Sequence, residues 1–192
     1  MDTYSTASRL CASADAGCTV IVGHVSWRNR AAIAALGGAL IAAPAAIAAT
    51  PLPKPSSPLL WATINACSPS ASPNEIGIRG SMPGTGDRRQ RMYMQFVVEY
   101  RSPAGRWRYF GHGGESGLIA VGKGSAVARQ AGWNFVLAPS STHAYTLRGV
   151  VVFEWRLNGQ TIAEQARATR SGHAATVGAD PSGHSAATCV IR

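Results

Sequence analysis

"RMYMQFVVEYR", residues 91–101, alternates along its whole length. Met92, Met94, Phe96, Val98 and Tyr100 fall on one side of an extended chain, and Arg91, Tyr93, Gln95, Glu99 and Arg101 fall on the other. A period of two belongs to a β-strand with one face on a core and the other in solvent. A helix would gather its apolar residues at every third or fourth position, and no such period sustains itself from residue 59 onward.

The flanking segments repeat the signal. "SPAG" at 102–105 has turn chemistry, proline early and glycine last, and leads into "RWRYF" at 106–110. Upstream, 59–67 ("LLWATINAC") and 75–80 ("EIGIRG") read as strands. Downstream, weaker strands are expected at 117–122 and 128–138, the latter grouping Trp133, Phe135 and Leu137. From residue 145 the alternation is long: Tyr145, Leu147, Val151, Phe153, Trp155 and Leu157 line one side, while Arg148, Glu154 and Arg156 line the other. Asn158-Gly159 predicts a tight hairpin, since both residues tolerate positive φ, with a return strand at 160–169. A last strand is expected at 186–191. Short strands at this spacing, without helices, predict a single antiparallel immunoglobulin-like β-sandwich of about seven to nine strands over 59–192.

Ahead of this domain stands "RNRAAIAALGGALIAAPAAIAAT", residues 28–50. Arg28 and Arg30 precede an apolar run to Ala43, Pro44 breaks it, and Ala46-Ile47-Ala48 has the small-x-small form of a cleavage site. That order is expected of a secretory signal peptide at 28–48. A membrane anchor needs about 20 strongly apolar residues, and this alanine-rich run carries Gly37, Gly38 and Pro44 inside it. Residues 1–27 are expected to be an over-long leader, with translation beginning at Val22 or Val25 through a GTG codon. Residues 49–58 read as a proline- and serine-rich linker.

Cleavage after Ala48 changes the cysteine count. Cys11 and Cys18 leave with the leader, and Cys67 and Cys189 remain near the two ends of the domain. In an exported chain two such cysteines predict one disulfide. Three arginines and two aspartates are also lost, which moves the net charge from +9 to +8. Nucleic acid is the usual partner of such a charge, but export removes it from the expected partners. Anionic envelope polymers, glycans or lipid head groups are the polyanions left outside the cytoplasm. The protein is expected to be secreted or held in the extracytoplasmic envelope, with no stable membrane span after cleavage.

"THAYTLRG", residues 142–149, resembles the start of the sixth strand of immunoglobulin-like and fibronectin type III-like domains. The resemblance implies that Tyr145 is the tyrosine that anchors a corner there. The pieces "LWATINAC", "IGIRGSMPG", "RMYMQF", "ARQAGW", "LRGVVVFEW" and "GADPSGHSAATC" are together similar to a group of uncharacterised exported proteins of high-GC actinobacteria. That likeness implies an exported β-sandwich and brings no activity with it.

Few motifs carry chemistry. "GLIAVGKGS", residues 117–125, approaches a phosphate-binding loop, but Gly124 stands where a hydroxyl should hold magnesium and the apolar spacer suits a strand. "HGGES", residues 112–116, has oxyanion-hole glycines without the serine elbow that such chemistry needs. His112, His143, His173 and His184 all fall in expected loops. His173, Asp180 and His184 would form part of a metal site only if those loops converged. Glu99 and Glu154 lie among arginines on outward strand faces, where ion pairs with Arg101, Arg148 or Arg156 account for them.

The basic residues remain. Arg88, Arg89 and Arg91 enter the long strand, and Arg101, Arg106 and Arg108 flank the turn after it, with Tyr93, Trp107 and Tyr109 among them. As one ribbon these would suit acidic glycans or phosphodiesters, through guanidinium forks and aromatic plates. The reading is an exported, non-catalytic binding or structural module that needs no cofactor. Its alternative is a small secreted hydrolase or metal-dependent enzyme built on the loop histidines.

Overall fold

The computed structural model describes residues 56–138 and 143–192. The expected leader, signal peptide and linker, up to residue 55, lie outside them. Nine strands form: β1 (Trp61–Cys67), β2 (Glu75–Met82), β3 (Arg91–Arg101), β4 (Trp107–Tyr109), β5 (Glu115–Lys123), β6 (Arg129–Val136), β7 (Tyr145–Leu157), β8 (Gln160–Ala168) and β9 (Cys189–Ile191). There is no helix among the described residues.

One sheet runs β1-β2-β6 and the other β4-β3-β7-β8, with β5 also on β3 and β9 also on β7. β4 takes the Glu99–Arg101 end of β3, and β5 takes the rest of the same edge from Arg91 to Val97. β9 and β8 divide the far edge of β7 in the same way. The larger sheet is therefore four strands wide, and every pairing between strands is antiparallel. Strands 1, 2 and 6 face strands 3, 7 and 8, which is the immunoglobulin-like distribution with β5 as an edge addition.

β3 and β7 are paired on both edges, and their alternate side chains fill the core. Met92, Met94, Phe96 and Val98 from β3 meet Leu147, Val151, Phe153 and Trp155 from β7, all fully buried. Ile64, Ile76, Ile78 and Met82 close the core from the other sheet. The sheets approach closely at Gly149, where a Cβ would stand 2.7 Å from Ile78 Cδ1 and 2.8 Å from Thr169 Cγ2. The turns follow the expected chemistry: Gly105 donates its N–H to the Ser102 carbonyl at 2.8 Å, and Asn158 and Gly159 take φ of 52° and 83°.

β1 is buried on both faces, although Thr63 and Asn65 are polar. The chain between β8 and β9 returns over its outward face and holds each outward side chain in turn. His173 stacks on Trp61 with ring centroids 4.3 Å apart. Thr63 Oγ1 and Ser185 Oγ share a hydrogen bond of 2.8 Å, and Asn65 Nδ2 donates to the Gly178 carbonyl at 2.7 Å. The same segment caps the free edge of β1: Ile64 and Ala186 exchange both backbone bonds at 3.0 Å, and Arg170 N–H donates to the Ala62 carbonyl. An edge so covered offers no template for another chain.

Cys67 at the end of β1 and Cys189 at the start of β9 form the expected disulfide, with Cα atoms 5.5 Å apart. Because β1 and β9 belong to different sheets, the bond ties the sheets together as well as the chain ends.

Three expectations need correction. Trp133 shares the parity of Phe135 and Leu137 but is 44% exposed. β6 is an edge strand, and no strand lies beyond it to cover the ring. The last strand is shorter than 186–191, because Ala186 pairs with β1 before the chain crosses to β7. The first begins at Trp61, leaving Leu59 exposed.

Two outcomes test this arrangement. Gly149→Ala forces a methyl into the sheet interface and should cost about 1–3 kcal/mol in a denaturant titration. Replacing Cys67 and Cys189 together with serine frees a loop with a sequence separation of 122 residues and should cost about 2–5 kcal/mol in the same assay.

Candidate functional site

The register of β3 decides where its arginines go. Arg91, Tyr93, Glu99 and Arg101 project from the outward face, and β4 sets Trp107 opposite Arg101 and Tyr109 opposite Glu99 on that face. Arg108 pairs with Tyr100 and so points to the other face. Arg91 and Arg101 are ten residues apart on one strand, about 33 Å. The expected single ribbon is therefore two separate groups at opposite ends of the sheet, with Arg108 over the edge of one.

At the first end, Arg91 lies between Lys123 and Arg156 across its two strand neighbours. Arg89 is forked onto Asp87, with Nε–Oδ1 at 2.9 Å and Nη2–Oδ2 at 2.7 Å, while Arg88 stays exposed in the turn. Arg156 lies over the Tyr93 ring at 5.0 Å and pairs with Glu154 at 2.6 Å. Bonds from Arg156 outweigh the burial of Glu154, and Thr161 adds another, so its carboxyl is held below the usual range.

The other end repeats the motif. Arg148 sits over the Trp107 ring at 4.5 Å and pairs with Glu99 at 2.6 Å. Arg148 and Arg156, expected only as ion-pair partners, are thus the guanidinium groups that cover aromatic rings. Burial, followed by the charge of Glu115, raises the Tyr109 phenol above its ordinary range.

Beside this second group the sandwich opens into a cleft of about 750 Å³, lined by Tyr100, Arg101, Pro103, Phe110, His143 and Tyr145 among others. Tyr100 and Tyr145 keep the inward parity of β3 and β7 at the strand ends. Phe110 follows β4 and is fixed by its N–H on the Val98 carbonyl at 3.0 Å. The rings meet edge to face: Tyr100–Phe110 and Tyr100–Tyr145 at 6.5 Å, Phe110–Tyr145 at 5.9 Å, His143–Tyr145 at 6.2 Å. Arg108, next to Tyr100 across the strands, borders this face, and Arg106 is exposed in the turn. Tyr145 stands at the start of β7, and the segment 139–142 upstream of it lies outside the described residues.

Of these residues the sequence points to Arg101, Arg106 and Arg108 as site residues and to Tyr145 as a corner. Tyr100, Phe110 and His143 were missed. Their signal was present, as aromatic residues at the ends of strands, where an inward face runs past the opposing sheet.

The loops carrying His173 and His184 meet, His173 N–H donating to Ser185 Oγ at 2.8 Å, but without a ligand set. Among the described residues, no three of His, Cys, Asp and Glu form a metal-ligating group, so the His173, Asp180 and His184 site does not assemble. Residues 117–123 belong to β5 and not to a phosphate loop. In "HGGES", Ser116 Oγ accepts the Phe96 N–H at 2.9 Å and donates to the Gly117 carbonyl at 2.7 Å, a structural use of the hydroxyl. No helix among the described residues is long and apolar enough to cross a membrane.

Fold and cleft together define a disulfide-linked β-sandwich with an aromatic, arginine-flanked opening at one end. No protein-family model matches the chain, and no curated protein matches it.

The Glu154 pair has a pH signature. Its folded-state pKa is depressed, so its stabilising contribution is complete above the ordinary carboxylate range and is lost as pH falls through the lowered folded value. Wild-type stability should therefore decline with acidification through that window. Glu154→Gln should flatten the decline in urea titrations run at successive pH values.

Proposed function

We propose that this chain is an exported, non-catalytic binding module of the cell envelope, and that its ligand is an anionic glycan or polymer seated in the Tyr100–Phe110–Tyr145 cleft. The carrying observation is the cleft: four aromatic rings with Arg101 in the lining and Arg106 and Arg108 around it. Aromatic rings accept the apolar faces of sugars, and guanidinium groups fork onto acidic oxygens.

Export is supported by two separate features. The 28–48 segment has the order of a secretory signal, and the disulfide belongs to an oxidising compartment. A non-catalytic role accords with the chemistry of the groups present. The carboxylates Glu99 and Glu154 are each committed to an arginine, and the one hydroxyl in a catalytic-looking motif is tied to backbone.

The test is retention on immobilised polygalacturonate, with neutral dextran as the control. Replacing Arg101, Arg106 and Arg108 together with serine should weaken retention roughly ten-fold at low salt, with little change in thermal stability, because exposed charges contribute little to folding. Serine at Arg88 and Arg91, at the far end of the sheet, should leave retention nearly unchanged. Equal losses from the two sets would point to diffuse charge and overturn the cleft.

A further inference from the structure

Each sheet has two edges, and they differ in how open they are to a further strand. β1 lies under the segment between β8 and β9. β4 and β9 are three residues long. β5 breaks register with β3 at two points and takes positive φ at Gly117 and Gly122. β8 breaks register with β7 opposite Trp155 and Arg156. β6, in contrast, pairs with β2 without a shift at every residue from Arg129 to Val136. Covering, shortening and bulging keep an edge strand from pairing with another chain, and β6 has none of these. From Gln130 to Val136 it also carries no charge and no proline. Trp133 and Val136 are exposed along it, Val136 by 74%.

β5 of the larger sheet runs along the same side of the sandwich, where a Cβ at Gly122 would be 3.5 Å from Arg129 Nε. Charge on this side is divided by end. Lys123 closes β5 and Arg129 opens β6, so both cations lie where the chain crosses between the sheets. The opposite end holds Glu115, which opens β5, and Glu75, which lies across from Val136. None of these side chains is in an ion pair among the described residues. Glu75 accepts from the Asn134 amide at 2.7 Å, a neutral donor that leaves its charge unanswered.

We propose that β6 is the interface between two copies of this chain, paired antiparallel about a two-fold axis so that their β1-β2-β6 sheets become one. Antiparallel pairing sets the Lys123 and Arg129 end of each copy against the Glu115 and Glu75 end of the other, and the axis makes that match twice. A parallel arrangement would set cation on cation. This self-complementarity is what selects a second copy as the partner of the strand. Trp133, left at the margin of the core because nothing covers an edge, gains the partner's strand as cover, and Ala131 and Gly132 beside it leave room for a second ring. The interface uses no residue of the aromatic cleft, so it stands or falls apart from the glycan reading.

The experiment is sedimentation of the 192-residue chain between about 5 and 500 µM, with amide hydrogen exchange read at both extremes. A dimer should form across that range, and exchange along residues 129–136 should slow as it does. Trp133→Lys should weaken association roughly ten-fold or more, whereas Val190→Lys, an equal change at an exposed residue of β9, should leave it unchanged. Lys123→Glu with Arg129→Glu should weaken it similarly, as should Glu75→Lys with Glu115→Lys, and mixing the two double variants should restore the dimer, because opposite charges then meet at both ends. A chain that stays monomeric, association that survives Trp133→Lys, or double variants that do not pair on mixing would each overturn the proposal.

Discussion

The register between β3 and β7, from Arg91 opposite Arg156 to Tyr100 opposite Leu147, is the constraint on which the rest of the molecule depends. Side chains alternate with a period of two, so a slip of one residue would turn Phe153 and Trp155 to solvent and press Glu154 and Arg156 into the core. The correct register is fixed by both faces at once. Inward, large apolar groups interlock with those of the smaller sheet. Outward, Glu99 meets Arg148 across the strands, and Tyr93 stands opposite Glu154 and beneath Arg156. Because the strands are long, the same register carries Tyr100 and Tyr145 past the opposing sheet, which is how a core face becomes the wall of a cleft.

The smaller sheet solves a different problem. With three strands it leaves β1 an edge, and Thr63 and Asn65 project from it where solvent would ordinarily be. Their burial is offset by hydrogen bonds to the returning chain, which gives a long segment without strands a reason for its path. That segment carries the chain from one sheet to the other. The disulfide closes the circuit at its far end, so the last strand and the roof over β1 are held by one covalent tie.

Strand positions were legible in the sequence because alternation, turn residues and the Asn158-Gly159 hairpin all acted locally and agreed. The disulfide was legible on the expectation that residues 1–48 are removed, since the two cysteines then left allow one pairing. What was not legible depended on the third dimension. Arg108 and Arg106 are two positions apart, yet pairing with Tyr100 turns Arg108 to the other face of the sheet from Trp107. Trp133 obeys the pattern of its neighbours and is exposed all the same, because sequence parity does not say which strand is an edge. Arg79 gave no signal at all: it sits in an unremarkable "IGIRG", and its position beneath Gly178 depends on a loop a hundred residues away.

Charge shows why the site must be argued from geometry and not from composition. An arginine-rich chain would carry its excess whether or not a polyanion were ever bound, so a net charge of +9 does not locate a surface. Pairing does locate it. Arg89, Arg148 and Arg156 have their charge answered by Asp87, Glu99 and Glu154, at distances between 2.6 and 2.7 Å. Several arginines have no such partner, Arg88 and Arg91 at one end of the larger sheet among them, and their surroundings differ. Arg101, Arg106 and Arg108 are solvated and next to aromatic rings, a combination suited to a long, weakly held polymer whose attachment falls as salt rises. Arg79 is half-buried and flanked by backbone, and burial without a countercharge lowers its pKa. The same residue type is solvated at the rim of one sheet and half-buried on the face of the other, a difference in environment that composition alone does not reveal.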